Sequence, residues 1–229
     1  MHRLFLTLAA CLLLLVPTTA QALPPRARHP GGRPPRHTAP PACGPRGCLT
    51  DLVQDVQTAT DTGSEAAAPA VTGADSLSDF PNDDSYANVM AMLQFASAHY
   101  GIPLDLVYAT AWTETKWQQW DANGTAIQGG DDYGLMQVNK PTWSGTYDWT
   151  KITGDVRENL RAGAEILKWS YDYARSKGYT GDDLARATYA VYNGGPDAVA
   201  RPWDSSSAWH QNDVNFWDAY SHKRWASSS

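Results

Sequence analysis

The chain has 229 residues, 42% of them hydrophobic, and 18 Lys and Arg against 24 Asp and Glu give a formal net charge of −6. That length holds one ordinary domain beside some less structured sequence, and leaves little room for two full domains. The acid excess excludes a phosphate-tracking basic face, so nucleic acid is not an expected partner.

Residues 1–22, MHRLFLTLAACLLLLVPTTAQA, set Arg3 before an apolar run from Leu4 to Val16 and end in Ala-Gln-Ala. This is the three-part pattern of a secretory signal peptide. The apolar run is shorter than the ~20 residues a spanning helix needs, so no stable membrane insertion is expected after cleavage. LAAC ending at Cys11 has the form of a lipoprotein box, but the LLLLV that follows it argues against an anchor. The chain reads as exported from a bacterial cytoplasm, to the periplasm, envelope or medium. Once Cys11 leaves, Cys43 and Cys48 remain as an even pair in an oxidising compartment, which points to a small disulfide. Closing so short a loop shapes a local turn and does little for the fold.

Residues 23–84 read as a disordered linker. Leu23–Gly47 carries five Arg, no acid and many Pro and Gly, whereas Cys48–Asp84 carries eight acids and no Lys or Arg. Neither composition can bury a core. The charge-segregated stretch is read as a solvated spacer, with contact of its Arg block to an anionic wall or membrane surface as the sharper alternative.

Order is expected from Ser85, so that residues 85–229 form the domain. In SYANVMAMLQFASAHYG, residues Val89, Met92, Leu93, Ala96 and Tyr100 recur at helical spacing, with Asp84 or Ser85 placed to cap and Gly101 to terminate. A second helix, Leu104 to about Lys116, is apolar nearly all round and is therefore predicted to be buried. Residues 118–149 are rich in turn formers and predict irregular structure with a short hairpin. Asp155 followed by Glu158 reads as a capping box opening a helix whose stripe is Leu160, Ala164, Leu167, Tyr171 and Ala174. Further helices are expected from about Asp182 to Tyr192 and from about Asn212 to Trp225. The fold class is mainly α, because strand runs do not alternate with helices as a parallel sheet demands.

Glu114 is the conspicuous residue. It lies three residues after Ala111 and seven after Val107, on their face of a buried helix and near its C-terminal end. Desolvation and the negative end of the helix dipole both disfavour the ionised carboxylate there. A carboxyl kept protonated suits a general acid, while a structural glutamate satisfied by Lys116 or a backbone amide fits the composition equally well. All ten Trp follow residue 111; Trp112, Trp117, Trp120, Trp143 and Tyr133 are candidates for stacking on sugar rings, although most Trp in such a domain serve packing. DANGT at Asp121–Thr125 starts like a calcium loop, but its twelfth position is Asp132 and not a bidentate Glu, so a plain turn is read there. His99, His210 and His222 lack metal-ligand spacing and no phosphate loop occurs, so neither metal nor cofactor is expected.

Three stretches stand in order along the chain: AWTETKW at Ala111–Trp117, DYGLMQVN at Asp132–Asn139 and ATYAVYNGGPDAV at Ala187–Val199. Together with RENLRAGAEIL at Arg157–Leu167, their order and spacing resemble the soluble-type lytic transglycosylases and goose-type lysozymes, from about Tyr86 to the C-terminus. The resemblance implies a lysozyme-like fold with a groove for the glycan strands of peptidoglycan. It implies Glu114 as the catalytic acid, Gln137 lining the sugar site, the Tyr192 hydroxyl near the acid and Asn193 holding substrate. Thr115 stands where the family usually has Ser and keeps the hydroxyl, and it is counted with the substrate-binding residues. Leu135 and Met136 read as core, and Asn193–Gly195 would end a helix in any fold.

Asn139 stands where goose-type lysozymes tend to carry Asp, and an amide cannot act as base. Inverting hydrolysis needs a second carboxylate ~6.5–9.5 Å from the acid. A lytic transglycosylase needs none, because the acid, once deprotonated, accepts the proton of the substrate's own C6 hydroxyl as that oxygen closes a 1,6-anhydro ring. The resemblance therefore implies cleavage of the MurNAc–GlcNAc β-1,4 bond to anhydro ends. The alternatives are a muramidase using Asp131 or Asp132, which read more simply as loop residues, and a catalytically silent glycan-binding module. Gln128 matches a site-lining position only loosely. Residues 85–229 hold twelve bases and sixteen acids, a balance that favours action within the producer's own envelope over antibacterial attack on anionic walls.

Overall fold

The structure, a computed structural model, describes residues 73–228. The signal peptide, most of the linker and the Cys43–Cys48 pair lie outside the described residues. Helix α1, Tyr86–Tyr100, buries Val89, Met92, Leu93 and Ala96, the stripe its spacing predicts. It stops where Gly101 takes a left-handed φ of 64°, a conformation open to glycine without a Cβ clash. Its start departs from expectation. Ser85 is the N-cap without a side-chain bond to the helix, and the Asp84 carboxylate instead accepts the backbone N–H groups of Gln119 (2.8 Å) and Trp120 (3.1 Å).

Order also begins earlier than Ser85. A 3-10 turn at Leu77–Asp79 is capped by Ser76, and Leu77 enters the core. Asn82 accepts from Val156 N–H at 2.9 Å and donates to Gly154 O at 3.2 Å. Acidic composition concealed this, because the anchoring contacts are single polar bonds, Leu77 and the Phe80 ring against Phe95, which leave no periodic signature.

Helix α2, Leu104–Thr115, is buried at Leu106, Val107, Tyr108, Ala109, Thr110, Ala111 and Thr115. The turn-rich segment after it contains an antiparallel sheet of two-residue strands, β1 (Gln128–Gly129), β2 (Asp132–Tyr133) and β3 (Val138–Asn139), in the order β1-β2-β3. Short helices α3 (Lys140–Trp143) and α4 (Trp149–Gly154) follow, capped by Asn139 and Asp148, and neither is long enough to show periodicity in sequence. Helix α5, Val156–Ser176, runs through the middle of the core with Leu160, Gly163, Ala164 and Leu167 buried. Asp155 caps it as expected, but the box is half made, since Glu158 pairs with Arg161 (2.9 Å). Helix α6, Gly181–Gly194, packs along α5, and α7, His210–His222, packs against α2 and α6. The described residues are mainly helical, and none of their helices is long and apolar enough to cross a membrane.

Candidate active site

Helix α2 ends abruptly after Thr115, since Lys116 and Trp117 both take left-handed backbone angles (φ 60° and 68°). For residues with a Cβ this costs roughly 1 kcal/mol or more each. Burial of Trp117 offsets it: the indole is 1% exposed, its N–H donates to Tyr108 O at 3.1 Å, and it packs among Tyr86, Tyr108 and Trp112. Trp117 is therefore core and no sugar platform. The sharp exit leaves Glu114 half-buried in the last turn of α2, where it accepts a hydrogen bond from the Tyr189 hydroxyl of α6 at 3.1 Å.

The turn Gly134–Gln137 is tied to this helix end by its neighbour. Thr115, 8% exposed, donates its hydroxyl to Leu135 O at 2.9 Å. Two wholly buried amides hold the rest of the turn. Gln119 accepts from Leu135 N–H at 2.7 Å while donating to Ile152 O, and Asn159 accepts from Met136 N–H at 2.8 Å while donating to Tyr133 O and Ile152 O. Met136 O accepts from the Tyr192 hydroxyl at 2.5 Å. A buried irregular turn is stable only if its polar groups are paired in this way. Gly134 is required by its φ of 74° and by crowding, since a Cβ would stand 2.2 Å from Asn159 Nδ2.

Gln137, itself left-handed at φ 49°, donates Nε2 to Ile127 O (3.0 Å) and Gly134 O (2.8 Å). Only its carbonyl oxygen is left for a ligand. Among the described residues, three of the four non-glycine residues with positive φ, namely Lys116, Trp117 and Gln137, thus surround Glu114 and its supporting turn. Strain concentrated in one place is a mark of a working site.

The electrostatics join the same groups. The Tyr192 phenol is pushed well above its ordinary value, first by burial and then by the negative charges of Glu114 and Asp132. Lys116 is pushed down by burial, against the opposing pull of Glu114 and Asp218. Asp132 is half-buried in β2 and accepts from Asn139 Nδ2 at 2.7 Å, whereas Asp131 is exposed at the hairpin tip.

A family model described as the transglycosylase SLT domain matches residues 91–215, more than half of the chain. The chain belongs to this family. Its lysozyme-like, mainly helical fold is the one expected from sequence. No curated protein and no solved structure matches the chain.

Within this SLT domain the sequence-predicted residues divide. Glu114, Thr115, Gln137 and Tyr192 meet through the bonds above, and Asn193 follows Tyr192 at the end of α6. The Glu114 carboxyl accepts from the Tyr189 hydroxyl, a residue not singled out in the sequence, while the Tyr192 hydroxyl donates to Met136 O and feels the charge of Glu114. Sequence reading missed Tyr189 although it stands in the Ala187–Val199 stretch, because only Tyr192 and Asn193 were given roles there; its spacing three residues before Tyr192, which sets the two side by side on α6, was the available signal. Gln128 serves the hairpin, donating to Gly130 O and the Tyr133 hydroxyl. In the DANGT turn, the Asp121 carboxylate accepts from the N–H groups of Asn123 and Thr125, and Leu135 and Met136 are wholly buried.

Proposed function

We propose that the protein is an exported lytic transglycosylase that cleaves the MurNAc–GlcNAc β-1,4 bond of peptidoglycan and leaves 1,6-anhydro-MurNAc ends. The observation that carries this reading is Glu114, a half-buried carboxyl at a strained helix end, bonded to Tyr189 and coupled through Thr115 to the Gly134–Gln137 turn. Glu114 protonates the glycosidic oxygen as the C1–O bond breaks. The resulting carboxylate then takes the proton of the C6 hydroxyl while its oxygen bonds to C1. No water is consumed. Tyr189 orients the carboxyl between the two steps, and effective concentration of the internal nucleophile supplies much of the rate.

A second reading has one observation in its favour. The charge of Asp132 bears on Tyr192 as that of Glu114 does, so a hydrolase in which Asp132 activates water draws on the same site. Digestion of purified peptidoglycan by the mature chain and by Glu114→Gln, followed by mass analysis of the muropeptides, separates the readings. Products one water lighter than reducing muropeptides support the transglycosylase. Reducing ends only support the hydrolase, and equal release by the variant removes Glu114 from the chemistry.

A further inference from the structure

Asn193 is the last polar side chain of α6 before the helix stops at Gly195, whose φ is 81°. Its side-chain oxygen is held from two sides, by Arg201 Nη2 at 3.3 Å and by Asn212 Nδ2 at 3.3 Å. Arg201 comes from a 3-10 turn at Arg201–Trp203 and is itself gripped by Asp213 of α7, through Nε to Oδ2 and Nη2 to Oδ1, both at 2.7 Å. The pair is nearly dry, with side chains 6% and 4% exposed. Gly194 makes room for it, since a Cβ there would stand 2.4 Å from Arg201 Nη1, a nitrogen that is buried with no hydrogen-bond partner.

A buried ion pair of this sort is a poor means of stabilisation, because desolvation of both charges cancels most of their attraction. It is a good means of fixing direction. Arginine can only donate, so the atom of Asn193 that faces Arg201 must be its oxygen. The NH2 group is thereby turned the other way, and among the described residues it donates to nothing in the protein. An asparagine without such a neighbour presents either end of its amide with nearly equal ease.

We infer that Arg201, locked by Asp213, is a positioning residue that sets the polarity of the Asn193 amide, so that the site offers substrate two N–H donors and no acceptor at this point. The group recognised is then a hydrogen-bond acceptor, such as the carbonyl oxygen of an acetamido substituent on the sugar, and not a hydroxyl acting as donor. This rests on the reading of Asn193 as a substrate-holding residue.

The test is a double-mutant cycle on kcat/KM for peptidoglycan, using Arg201→Lys, Asn193→Ala and the two combined. Lysine keeps the charge beside Asp213 but lacks the second arm that reaches Asn193. Arg201→Lys lowers kcat/KM about tenfold, mainly through KM, and has no further effect once Asn193 is Ala. An equal loss in the Asn193→Ala background, or no loss in the wild type, overturns the inference. If lysine proves too disruptive by thermal melting, the uncharged pair Arg201→Gln with Asp213→Asn replaces it with the same expectation. The inference is also read without catalysis, in the 15N-resolved side-chain amide signals of Asn193: they shift on Arg201→Lys if the arginine holds the oxygen, and an unchanged pair of signals refutes it. Should the wild-type chain cleave no glycan, the proposed function fails while this spectroscopic result still decides the role of Arg201.

Discussion

Asn159→Ala probes the support beneath the site. Asn159 is wholly buried and makes three bonds: Met136 N–H to Oδ1 (2.8 Å), and Nδ2 to Tyr133 O (2.9 Å) and Ile152 O (3.1 Å). After truncation Ile152 O keeps the Gln119 amide at 3.1 Å, but the buried Met136 N–H is left unpaired and the part-buried Tyr133 O loses its side-chain donor. The orphaned N–H costs up to ~3 kcal/mol and the lost bonds of the amide add to it, so the variant should lose about 3 kcal/mol of stability. For a domain of this size that lowers Tm by about 10 °C. Urea unfolding followed by tryptophan fluorescence measures it, with Asn215→Ala on the exposed face of α7 as a control shifting by less than about 0.5 kcal/mol. Turnover at temperatures where the variant is folded should also fall, because Tyr192 reaches Met136 O of the same turn. A loss below about 1 kcal/mol would refute the claim that Asn159 holds the turn.

Tyr189→Phe keeps the stack on Phe216, whose ring centroid is 4.4 Å away, and removes the bond to Glu114. Turnover should drop about tenfold with little change in stability, a hydrogen bond to the carboxylate that Glu114 becomes on giving up its proton being worth roughly 1.5 kcal/mol; unchanged kcat contradicts the role given to this hydroxyl. Gly163→Ala would set a Cβ 2.3 Å from Met136 Cβ, pushing the turn off α5, so melting temperature and activity should fall together; a variant of normal Tm and normal activity counts against the tight packing of α5 on the turn. The Asp155 carboxyl is held below its ordinary value, chiefly by its bond with Arg157. A depressed carboxylate stabilises the fold above its unfolded pKa, and that contribution is lost as pH falls through the lowered folded value. Asp155→Asn keeps a good cap and should thus be less stable than wild type at neutral pH but equal to it well below pH ~4, by urea midpoints at both; a pH-independent difference contradicts the ion-pair account.

The helices were legible because burial imposes a period. Val89, Met92, Leu93 and Ala96 on α1, and Leu160, Ala164 and Leu167 on α5, are buried as their spacing required. The turn-rich segment was legible as irregular structure with a short hairpin, but the third strand of its sheet, α3 and α4 were not, since two-residue strands and helices of four and six residues leave no period to read. Glu114 was visible as a charge out of place on an apolar face. Its partner Tyr189 was not, because an aromatic residue on a buried helix looks like core until the other helix is set beside it, and Tyr189 is in fact both core and contact, at 2% exposure. The supports Gln119 and Asn159 were hidden for a similar reason: a buried amide is indistinguishable in sequence from an exposed one, and only the paired backbone groups around it reveal its task.

In the proposed reaction the bond breaks without water. Digestion of peptidoglycan in water enriched in 18O tests it directly, since hydrolysis transfers one solvent oxygen to each new end and internal attack by the C6 hydroxyl transfers none. Unlabelled anhydro ends are expected from the wild type and no release by Glu114→Gln. Ends carrying the 18O label would contradict it and turn attention to Asp132.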